Sequence, residues 1–418
     1  MKGNWINCEL GSFGMFSNGI NKDKHSFGKG LPFINLMDVF DKSIIKEEPK
    51  GLVEANSIEL ERYKLEIGDI LFVRSSVKLD GVGKVCLVGN NLGKTIYSGF
   101  IIRFRQNIKN LDGIFSSYYL NSGSIRKQIL KKATLSANSN INQESLKTIL
   151  INVPPLSQQR KIAQILTICD DIIEKTEAAI AKYQAMKQGL LQDLFTRGID
   201  VKTGKLRPKQ EDAKHLYKES GLGWIPKEWE CVDFSKVSIV NQGLQMAISE
   251  RYKESGENRY LYITIQYLND INNEGNRFYI QNPPESVICR KEDVLMVRTG
   301  NTGMIVTDTE GVFHNNFFKI DYVKDVLKKY LVYYLKRFEI QNMIMNYAGT
   351  TTIPDLKHGE FYKIPFLKPT KKEQSLISNS LESIDEKIQT EQSALSKYQQ
   401  LKTGLMQDLL SGKVEVKV

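Results

Sequence analysis

Two long segments of the chain carry apolar residues at alternating steps of three and four, which predicts two long amphipathic helices. From Ser157 to about Thr196 there is no proline and a single glycine. The repeat is a heptad pattern, in which one apolar seam packs against another helix. At 1.5 Å per residue, a helix of about 40 residues is about 60 Å long. The seam positions are Ile162, Leu166, Ile173, Ile180, Tyr183 and Leu190 in the first segment, and Ile377, Leu381, Ile388, Leu395, Tyr398 and Leu405 in the second.

The two segments are copies of one sequence. KYQAMKQGLLQDL (182–194) and KYQQLKTGLMQDL (397–409) are identical at nine of thirteen positions, 215 residues apart. GDILFVRSS (68–76) and EDVLMVRTG (292–300) are similar to each other at an offset of 224 residues. A repeat of this length is a tandem duplication and predicts an internal pseudo-twofold symmetry.

The predicted fold class is α+β: two tandem α/β globules and two long helices that form an antiparallel coiled coil. An alternative is that each seam packs only on its own globule. Within the globules, LEIGDILFVRSS, SGFIIRFR (98–105) and HNNFFKID (314–321) have the composition of strands. The predicted segments are residues 1–150, the first globule; 151–196, the first helix; 197–218, an exposed linker; 219–365, the second globule; and 366–418, the second helix.

Composition narrows the class of protein. The 418 residues are 41% hydrophobic and 25% charged, which is typical of a globular chain. No apolar run is long enough for a membrane span, and the N-terminus lacks the apolar core of a signal peptide. The five cysteines lie far apart without a CxxC pair, which favours a reduced, cytoplasmic protein.

The net charge of +10 favours a nucleic-acid partner, although weakly. Residues 1–150 carry 21 basic against 14 acidic side chains, whereas residues 219–365 carry 17 against 19. The second globule therefore needs either a local basic patch or partner subunits to hold phosphates.

The motifs that suggest catalysis are incomplete. Asn282-Pro-Pro-Glu285 lacks the aromatic residue of an amino-methyltransferase motif, and Gly81-Val-Gly-Lys84 lacks the first glycine of a P-loop. Pro354-Asp355 with Asp385-Glu386-Lys387 resembles a nuclease pattern, but its second part lies on the predicted helix and is interpreted as surface charge. The four histidines have no metal-ligand spacing. The sequence predicts neither an active site nor a metal site.

The repeated segments carry a specific resemblance. VPPLSQQRKIAQILTICDDII, KYQAMKQGLLQDLFTRGI and GLGWIPKEWE resemble the central region of the specificity subunit of type I restriction–modification enzymes. KEQSLISNSLESIDEKI and KTGLMQDLLSG resemble the second helical repeat of that family, so the resemblance covers essentially the full chain. The chain departs from the family's sequence pattern in two places. The start of the first globule has no counterpart of GLGWIP, and the start of the second helix, LKPTKKEQ, lacks the double proline of VPPLSQQ.

The resemblance implies a non-catalytic, DNA-binding subunit. Each globule is then a target-recognition domain that reads one half of a bipartite, asymmetric site in double-stranded DNA. The helices set the spacing between the half-sites and dock two methyltransferase subunits, through which restriction subunits join. The resemblance further implies that this chain binds no cofactor, and that S-adenosylmethionine, ATP and Mg²⁺ are used by the partner subunits.

Polar loop residues are the candidates for DNA contact, because arginine pairs with guanine, and asparagine or glutamine with adenine. The first globule offers Lys22, Lys24, Arg74, Ser75, Ser76, Lys78, Asn138 and Asn140, and the second offers Gln242, Gln245, Arg251, Lys253, Arg298, Thr299, Asn301 and Thr351. Arg74 and Arg298 align in the repeat and are the strongest candidates for DNA contact. The alternative for that pair is a structural arginine that closes the end of a strand.

Two other functional classes remain open at this point. One is a stand-alone nuclease or methyltransferase with a divergent site, which would act on DNA without partners. The other is a bivalent scaffold for proteins, which would show no salt-dependent affinity for DNA.

Overall fold

The computed structural model describes residues 5–40, 43–107, 110–134, 139–349 and 352–417. The chain divides into two compact units, one of Met1–Ala178 with Gln392–Val418 and the other of Ala179–Glu391. Both boundaries fall inside the long helices. Each unit therefore contains one globule, part of the first long helix and part of the second.

The first globule consists of short elements, and it is followed by the first long helix. The helices are α1 (Leu36–Val39), α2 (Ser57–Tyr63), α3 (Gly113–Leu120), α4 (Gly123–Lys132), α5 (Gln143–Lys147) and the long α6 (Leu156–Thr196). The strands are β1 (Ile6–Glu9), β2 (Gly14–Asn18), β3 (Phe27–Ile34), β4 (Ile44–Ile45), β5 (Leu52–Val53), β6 (Ile70–Val73), β7 (Ser75–Ser76), β8 (Val85–Val88), β9 (Ile96–Tyr97), β10 (Ile101–Gln106), β11 (Ser139–Asn140) and β12 (Leu150–Val153).

The second globule has a similar series of elements. Its strands are β13 (Tyr217–Ser220), β14 (Gly223–Pro226), β15 (Glu230–Asp233), β16 (Ser238–Gln242), β17 (Arg259–Ile263), β18 (Tyr279–Gln281), β19 (Ile288–Cys289), β20 (Val294–Val297), β21 (Ile305–Thr307), β22 (Gly311–Phe313), β23 (Phe317–Tyr322) and β24 (Pro365–Lys368). Its helices are α7 (Ile265–Asn269), α8 (Lys328–Leu335), α9 (Phe338–Ala348), α10 (His358–Tyr362) and the long α11 (Lys371–Leu410).

The four strands of the second central sheet match four of the five strands of the first in order and register, which confirms the duplication. The sheet of the first unit runs β2-β10-β6-β8-β4, and that of the second runs β16-β23-β20-β21. Ile102 pairs with Asn18 on one side and Phe72 on the other. At the matching position, Phe318 pairs with Gln242 and Met296. The strands β6 and β20 are buried along their whole length, as their unbroken apolar sequences require.

Both long helices enter the hydrophobic core of each unit. In the first unit, Ile162 and Leu166 of α6 pack in one cluster with Leu409 of α11 and the side chains of the globule. In the second unit, the end of α6 and the start of α11 do the same around Trp229. Within each unit the start of one helix thus lies beside the end of the other, so the two helices run antiparallel.

The burial of the seam positions follows from this arrangement. Positions near the globules or the helix centres are buried, intermediate ones are partly covered, and Tyr398 is exposed. The helices therefore pack on each other, as a coiled coil does, and also on the globules, as the alternative interpretation of the seam proposed. The buried positions are Ile162, Leu166, Ile180, Ile377, Leu381 and Ile388, and the partly buried ones are Ile173, Tyr183, Leu190, Leu395 and Leu405.

A glutamine in the first turn of each long helix fastens the helix to its globule. Gln159 and Gln374 are buried, and a buried amide needs partners for both its oxygen and its nitrogen. The oxygen of Gln159 accepts a hydrogen bond from the N–H of Asp112 at 2.8 Å, and that of Gln374 accepts one from Leu327 at 2.8 Å. The start of each helix is thereby held at the same place in both units.

The predicted exposed linker over residues 197–218 is exposed only in part: residues 202–205 and Lys209 are exposed, whereas Arg207, Ala213 and Tyr217 are buried. Arg207 is buried and pairs through its two terminal guanidinium nitrogens with the buried carboxylate of Glu373, at 2.5 and 3.1 Å. The same carboxylate accepts a hydrogen bond from the N–H of Ile199 at 2.8 Å. A buried ion pair needs close geometry and additional hydrogen bonds, and this one has both. Five of the seven basic residues of the segment are exposed, Arg197 is partly buried, and Arg207 is buried.

Candidate nucleic-acid interface

In the first unit, three chain segments meet where the central strand β6 ends. The N–H of Arg74 donates to the carbonyl of Phe100 at 2.8 Å, and the carbonyl of Arg74 accepts from the N–H of Ile141 at 3.0 Å. The short strand Ser75–Ser76 then pairs with Ser139–Asn140. The residues after a buried strand are therefore held on two sides by main-chain hydrogen bonds.

The second unit repeats this junction at the end of β20. The N–H of Arg298 donates to the carbonyl of Asn316 at 2.7 Å, and its carbonyl accepts from the N–H of Leu356 at 2.9 Å. Thr299 forms an antiparallel bridge with Asp355. Main-chain contacts that recur in two divergent copies show that this position is a feature of the fold.

A fourth segment reaches the junction through a glycine. A Cβ atom at Gly19 would lie 2.2 Å from the carbonyl oxygen of Ser98, and one at Gly243 would lie 2.1 Å from that of Phe313. Any side chain there would collide with main chain, so these close approaches require glycine. We call the resulting surface of each unit the strand-end surface. It comprises Asn18–Asn21, Arg74–Ser76, Ser98–Phe100 and Asn140 in the first unit, and Gln242–Gln245, Arg298–Thr299, His314–Asn316 and Asp355 in the second.

In the first unit, the candidate residues divide between this surface and other places. Arg74 is half-buried and donates to the carbonyl of Gly99 at 3.2 Å. Lys22 is engaged elsewhere, in an ion pair with Glu59 at 2.7 Å. Ser75 is half-buried, Ser76 is buried, and Lys24 and Lys78 are exposed. Asn140 lies in β11, and Asn138 lies outside the described residues.

The two arginines of the second unit are held by groups of the chain itself. The guanidinium of Arg298 lies 2.8 Å from the carboxylate of Asp355 and above the ring of Phe318. That of Arg251 donates to the carbonyl of Met246 at 2.7 Å. The contacts of Arg298 agree with the alternative that it is a structural arginine at the end of a strand. Contact of either arginine with DNA stays a prediction.

The polar candidates of the second unit are more accessible. Gln242, Gln245, Lys253 and Asn301 are exposed, while Thr351 lies outside the described residues. Lys253 donates to the carbonyl of Gly275 at 3.0 Å. Thr299 donates to the carboxylate of Asp355 at 2.5 Å, which orders the start of its loop.

Two histidines of the second unit lie near these arginines. Burial lowers the pKa of His314, and the positive charge of Arg251 lowers it further. Burial and then Arg298 act in the same way on the pKa of His358. Because both pKa values fall below the ordinary 6.5, both side chains are neutral at pH 7 and add no positive charge to the surface.

A joint of three side chains ties each globule to both long helices. In the first unit, the hydroxyl of Tyr118 donates to the carboxylate of Asp170 on α6 at 2.5 Å, and Lys402 of α11 pairs with the same carboxylate. Burial, followed by this hydrogen bond, raises the pKa of Tyr118 far above its ordinary value, so the hydroxyl keeps its proton.

The second unit contains the matching joint. Tyr333 donates to Asp385 at 2.8 Å, and Lys187 pairs with Asp385 at 2.5 Å. Each joint takes its tyrosine and aspartate from one repeat and its lysine from the other. Asp385 is therefore held by Lys187 and Tyr333, although its side chain remains partly exposed. Glu386 and Lys387 are exposed, in agreement with the interpretation as surface charge.

The sequence contained a signal for these joints. Tyr118 with Tyr333, Asp170 with Asp385, and Lys187 with Lys402 all recur at the offset of 215 residues. Polar identities kept between copies whose surfaces have otherwise diverged indicate a shared contact. Asn315 and Asp355, which contribute to the strand-end surface, had no such signal because their partners in the repeat are Gly99 and Asn140.

The described residues form neither a metal-binding cluster nor a helix that could span a membrane. No group of three or more histidine, cysteine, aspartate or glutamate side chains there is placed to hold a metal ion. None of the helices formed by those residues has the length and apolarity needed to cross a bilayer.

Comparison with known proteins agrees with the duplicated architecture. The sequence profile described as "Type I restriction modification DNA specificity domain" matches residues 3–182 and again residues 226–400. The putative type I restriction enzyme MjaX specificity subunit of Methanocaldococcus jannaschii is 24% identical over 406 residues, covering 95% of this chain and 89% of that protein. The EcoKI specificity subunit of Escherichia coli is 26% identical over 185 residues, covering 43% and 39%.

Solved structures share the fold. The S subunit of a type I restriction–modification system from M. genitalium superimposes with a TM-score of 0.56 at 14% identity, covering 97% of this chain and 96% of that one. A chain from a study of the assembly and conformational transition of a type I restriction–modification system gives a TM-score of 0.58, also at 14% identity, with 98% of each chain covered.

Proposed function

The chain belongs to the family of type I restriction modification DNA specificity domains, and from this premise we propose that it is the DNA specificity subunit of a type I restriction–modification complex. Each globule reads one half of a bipartite site in double-stranded DNA. The chain supplies sequence recognition, and other subunits carry out methyl transfer and cleavage.

One observation carries this proposal: the same strand-end surface is built twice, with different side chains. Both surfaces have the same main-chain hydrogen bonds around Arg74 and Arg298. Around these arginines, the first surface presents Asn21 and Asn140 and the second presents Gln245 and Asp355 at the matching positions. The two surfaces thus have the same backbone structure but different hydrogen-bond donors and acceptors, as two domains that recognise different half-sites would need.

The long helices suit the spacing role. The 41 residues of α6 extend over about 60 Å at 1.5 Å per residue. The joints and the buried glutamines fix both helices to each globule, so each reader is held at a defined place along them. Two readers at a fixed separation select half-sites at a fixed gap, as dimeric DNA-binding proteins do.

The partners and cofactors form part of the proposal. Two methyltransferase subunits dock on the helices, and restriction subunits join through them in a cytoplasmic complex. S-adenosylmethionine, ATP and Mg²⁺ are bound by those subunits and not by this chain. The second globule carries fewer basic than acidic side chains. This supports a role for the partner subunits in binding the DNA phosphates near that globule.

Methylation mapping of the reconstituted complex tests the proposal. The chain, combined with its methyltransferase subunits and S-adenosylmethionine, is expected to methylate a bipartite motif with two unlike halves and a constant gap. Methylation or cleavage by the chain alone would instead establish a stand-alone enzyme. If DNA affinity is absent at low salt, the chain is a protein scaffold.

A further inference from the structure

We propose that Gln242 and Gln245 of the second unit form a preordered pair that reads one adenine in its half-site, with Asn315 as the residue that positions both amides. This inference rests on the function proposed above and adds the identity of a base and of its readers. It starts from contacts within one strand-end surface.

Asn315 holds both glutamine side chains. Its main-chain carbonyl accepts a hydrogen bond from the amide nitrogen of Gln242 at 3.2 Å. Its side-chain nitrogen donates to the amide oxygen of Gln245 at 3.0 Å. Both glutamines are exposed, so each amide is oriented by the protein and still accessible from solvent.

The backbone beneath these amides is fixed as well. Gln242 is the last residue of β16 and pairs with Phe318. Gly243 passes so close to the carbonyl of Phe313 that no side chain fits there. The N–H of Asn315 donates to the carbonyl of Leu244 at 3.1 Å, which closes the segment on itself.

The atoms left free match one base. Among the described residues, no hydrogen bond uses the amide oxygen of Gln242 or the amide nitrogen of Gln245. The pair therefore presents the oxygen of Gln242 as an acceptor and the nitrogen of Gln245 as a donor, beside the second N–H of Gln242. In the major groove, adenine offers the N7 acceptor beside the N6 donor, guanine offers two acceptors, and cytosine and thymine each offer a single polar group. Adenine is the base whose edge uses both free atoms.

The side-chain oxygen of Asn315 supports a positioning role. It is buried and has no donor among the described residues. A buried acceptor without a partner destabilises the folded state, so stability alone does not favour asparagine at this position. Its amide nitrogen is oriented toward Gln245, and that contact accounts for its presence.

The first unit lacks this arrangement. The residue at the position of Asn315 is Gly99, and a Cβ atom there would lie 1.9 Å from the side-chain oxygen of Asn21. Asn21, the counterpart of Gln245, thus occupies the space that Asn315 fills in the second unit. The adenine pair is therefore specific to one half-site.

Base analogues in the DNA test the assignment without altering the protein. The motif of the wild-type complex is mapped first, and each adenine of the second half, other than the methylated one, is then replaced singly by 7-deazaadenine or by purine. At one position both analogues should weaken binding about tenfold or more, since each removes one of the two hydrogen bonds. The inference is overturned if no position responds to both.

Variants of the intact complex complete the test. Gln245→Glu replaces the donor by an acceptor of the same shape, so the preference for adenine at that position should fall about tenfold or more and shift toward cytosine. Asn315→Ala should reduce discrimination at the same position, and Asn21→Ala, the matched control, should leave the second half unchanged. Unaltered specificity in Gln245→Glu contradicts the inference, whereas a wild-type complex without a bipartite motif contradicts the proposed function.

Discussion

Lys187 of the first long helix and Asp385 of the second form an ion pair of 2.5 Å, and the hydroxyl of Tyr333 donates to the same carboxylate. The contact joins the two repeats of the sequence inside one unit. It recurs as Lys402 with Asp170 in the other unit, where Tyr118 has the role of Tyr333. The relationship explains why these six polar residues are kept while most surface positions differ.

Reversing one charge of a joint should destabilise its unit. In Lys187→Glu, a carboxylate faces Asp385, and the free energy of unfolding should fall by about 1–2 kcal/mol. The double variant Lys187→Glu/Asp385→Lys should recover most of that loss. Denaturant unfolding followed by tryptophan fluorescence gives both values. Lys182→Glu, on an exposed part of the same helix, is the matched control, and an equal loss there would contradict a specific role for the pair.

Alkaline pH should destabilise the fold through its buried tyrosines. Burial raises the pKa values of Tyr118, Tyr330 and Tyr333 above their ordinary 10, so their hydroxyls ionise more readily in the unfolded chain. Their contribution is present below pH 10 and is lost as the pH rises above it, at up to about 1.4 kcal/mol per pH unit for each group. Unfolding measured from pH 8 to 11 should show the decline, and Tyr118→Phe/Tyr333→Phe should make it shallower. A decline of equal slope in that variant would exclude the joints as its source.

Breaking the buried ion pair of the linker should cost more than breaking a joint. Arg207→Met leaves the Glu373 carboxylate buried without its cation, so the free energy of unfolding should fall by about 3–5 kcal/mol. Arg207→Met/Glu373→Leu removes both charges and should regain much of the loss. Lys209→Met, at an exposed position of the same segment, serves as the control in thermal unfolding. A small effect of Arg207→Met would mean that water reaches the carboxylate.

The two matched arginines should affect different halves of the DNA site. Arg298→Ala removes a guanidinium from the second strand-end surface and leaves Asp355 without its cation, so recognition of the second half should weaken about tenfold or more. Arg74→Ala should act on the first half alone. Methylation mapping with substituted sites separates the two effects. An equal loss at both halves would indicate a folding defect instead.

Shortening both long helices should shorten the gap between the half-sites. Removal of residues 176–182 and 391–397 takes one heptad from each helix and preserves the seam. The helices lose about 10 Å, which corresponds to about three base pairs at 3.4 Å each. The motif methylated by the variant complex gives the new gap directly. An unchanged gap would show that the helices do not set it.

The periodic features of the molecule could be predicted from the sequence. The heptads located α6 and α11, and the apolar run before Arg298 located β20, because burial against a partner leaves a regular pattern along the chain. Comparison of the two copies located the arginines at the strand ends. These features depend on local sequence or on the repeat.

Features that depend on one distant partner could not be predicted. The burial of Arg207 is set by Glu373, which lies 166 residues away. The orientation of Gln245 is set by Asn315, 70 residues away, and no periodicity marks either residue. A lone charged or amide residue has the same appearance in the sequence whether or not the fold supplies its partner.

The position of the unit boundaries inside both long helices has a consequence for genetic recombination. The second unit is the uninterrupted stretch Ala179–Glu391, while the first is assembled from the two flanking stretches. A single internal exchange with a homologous gene, with both crossovers in the helix-coding regions, would replace one whole reader and its half of each helix. Because the exchanged stretches keep the same heptad phase, such an exchange would preserve the seam. New combinations of half-sites would then arise in one step, without any gradual change of the recognition loops.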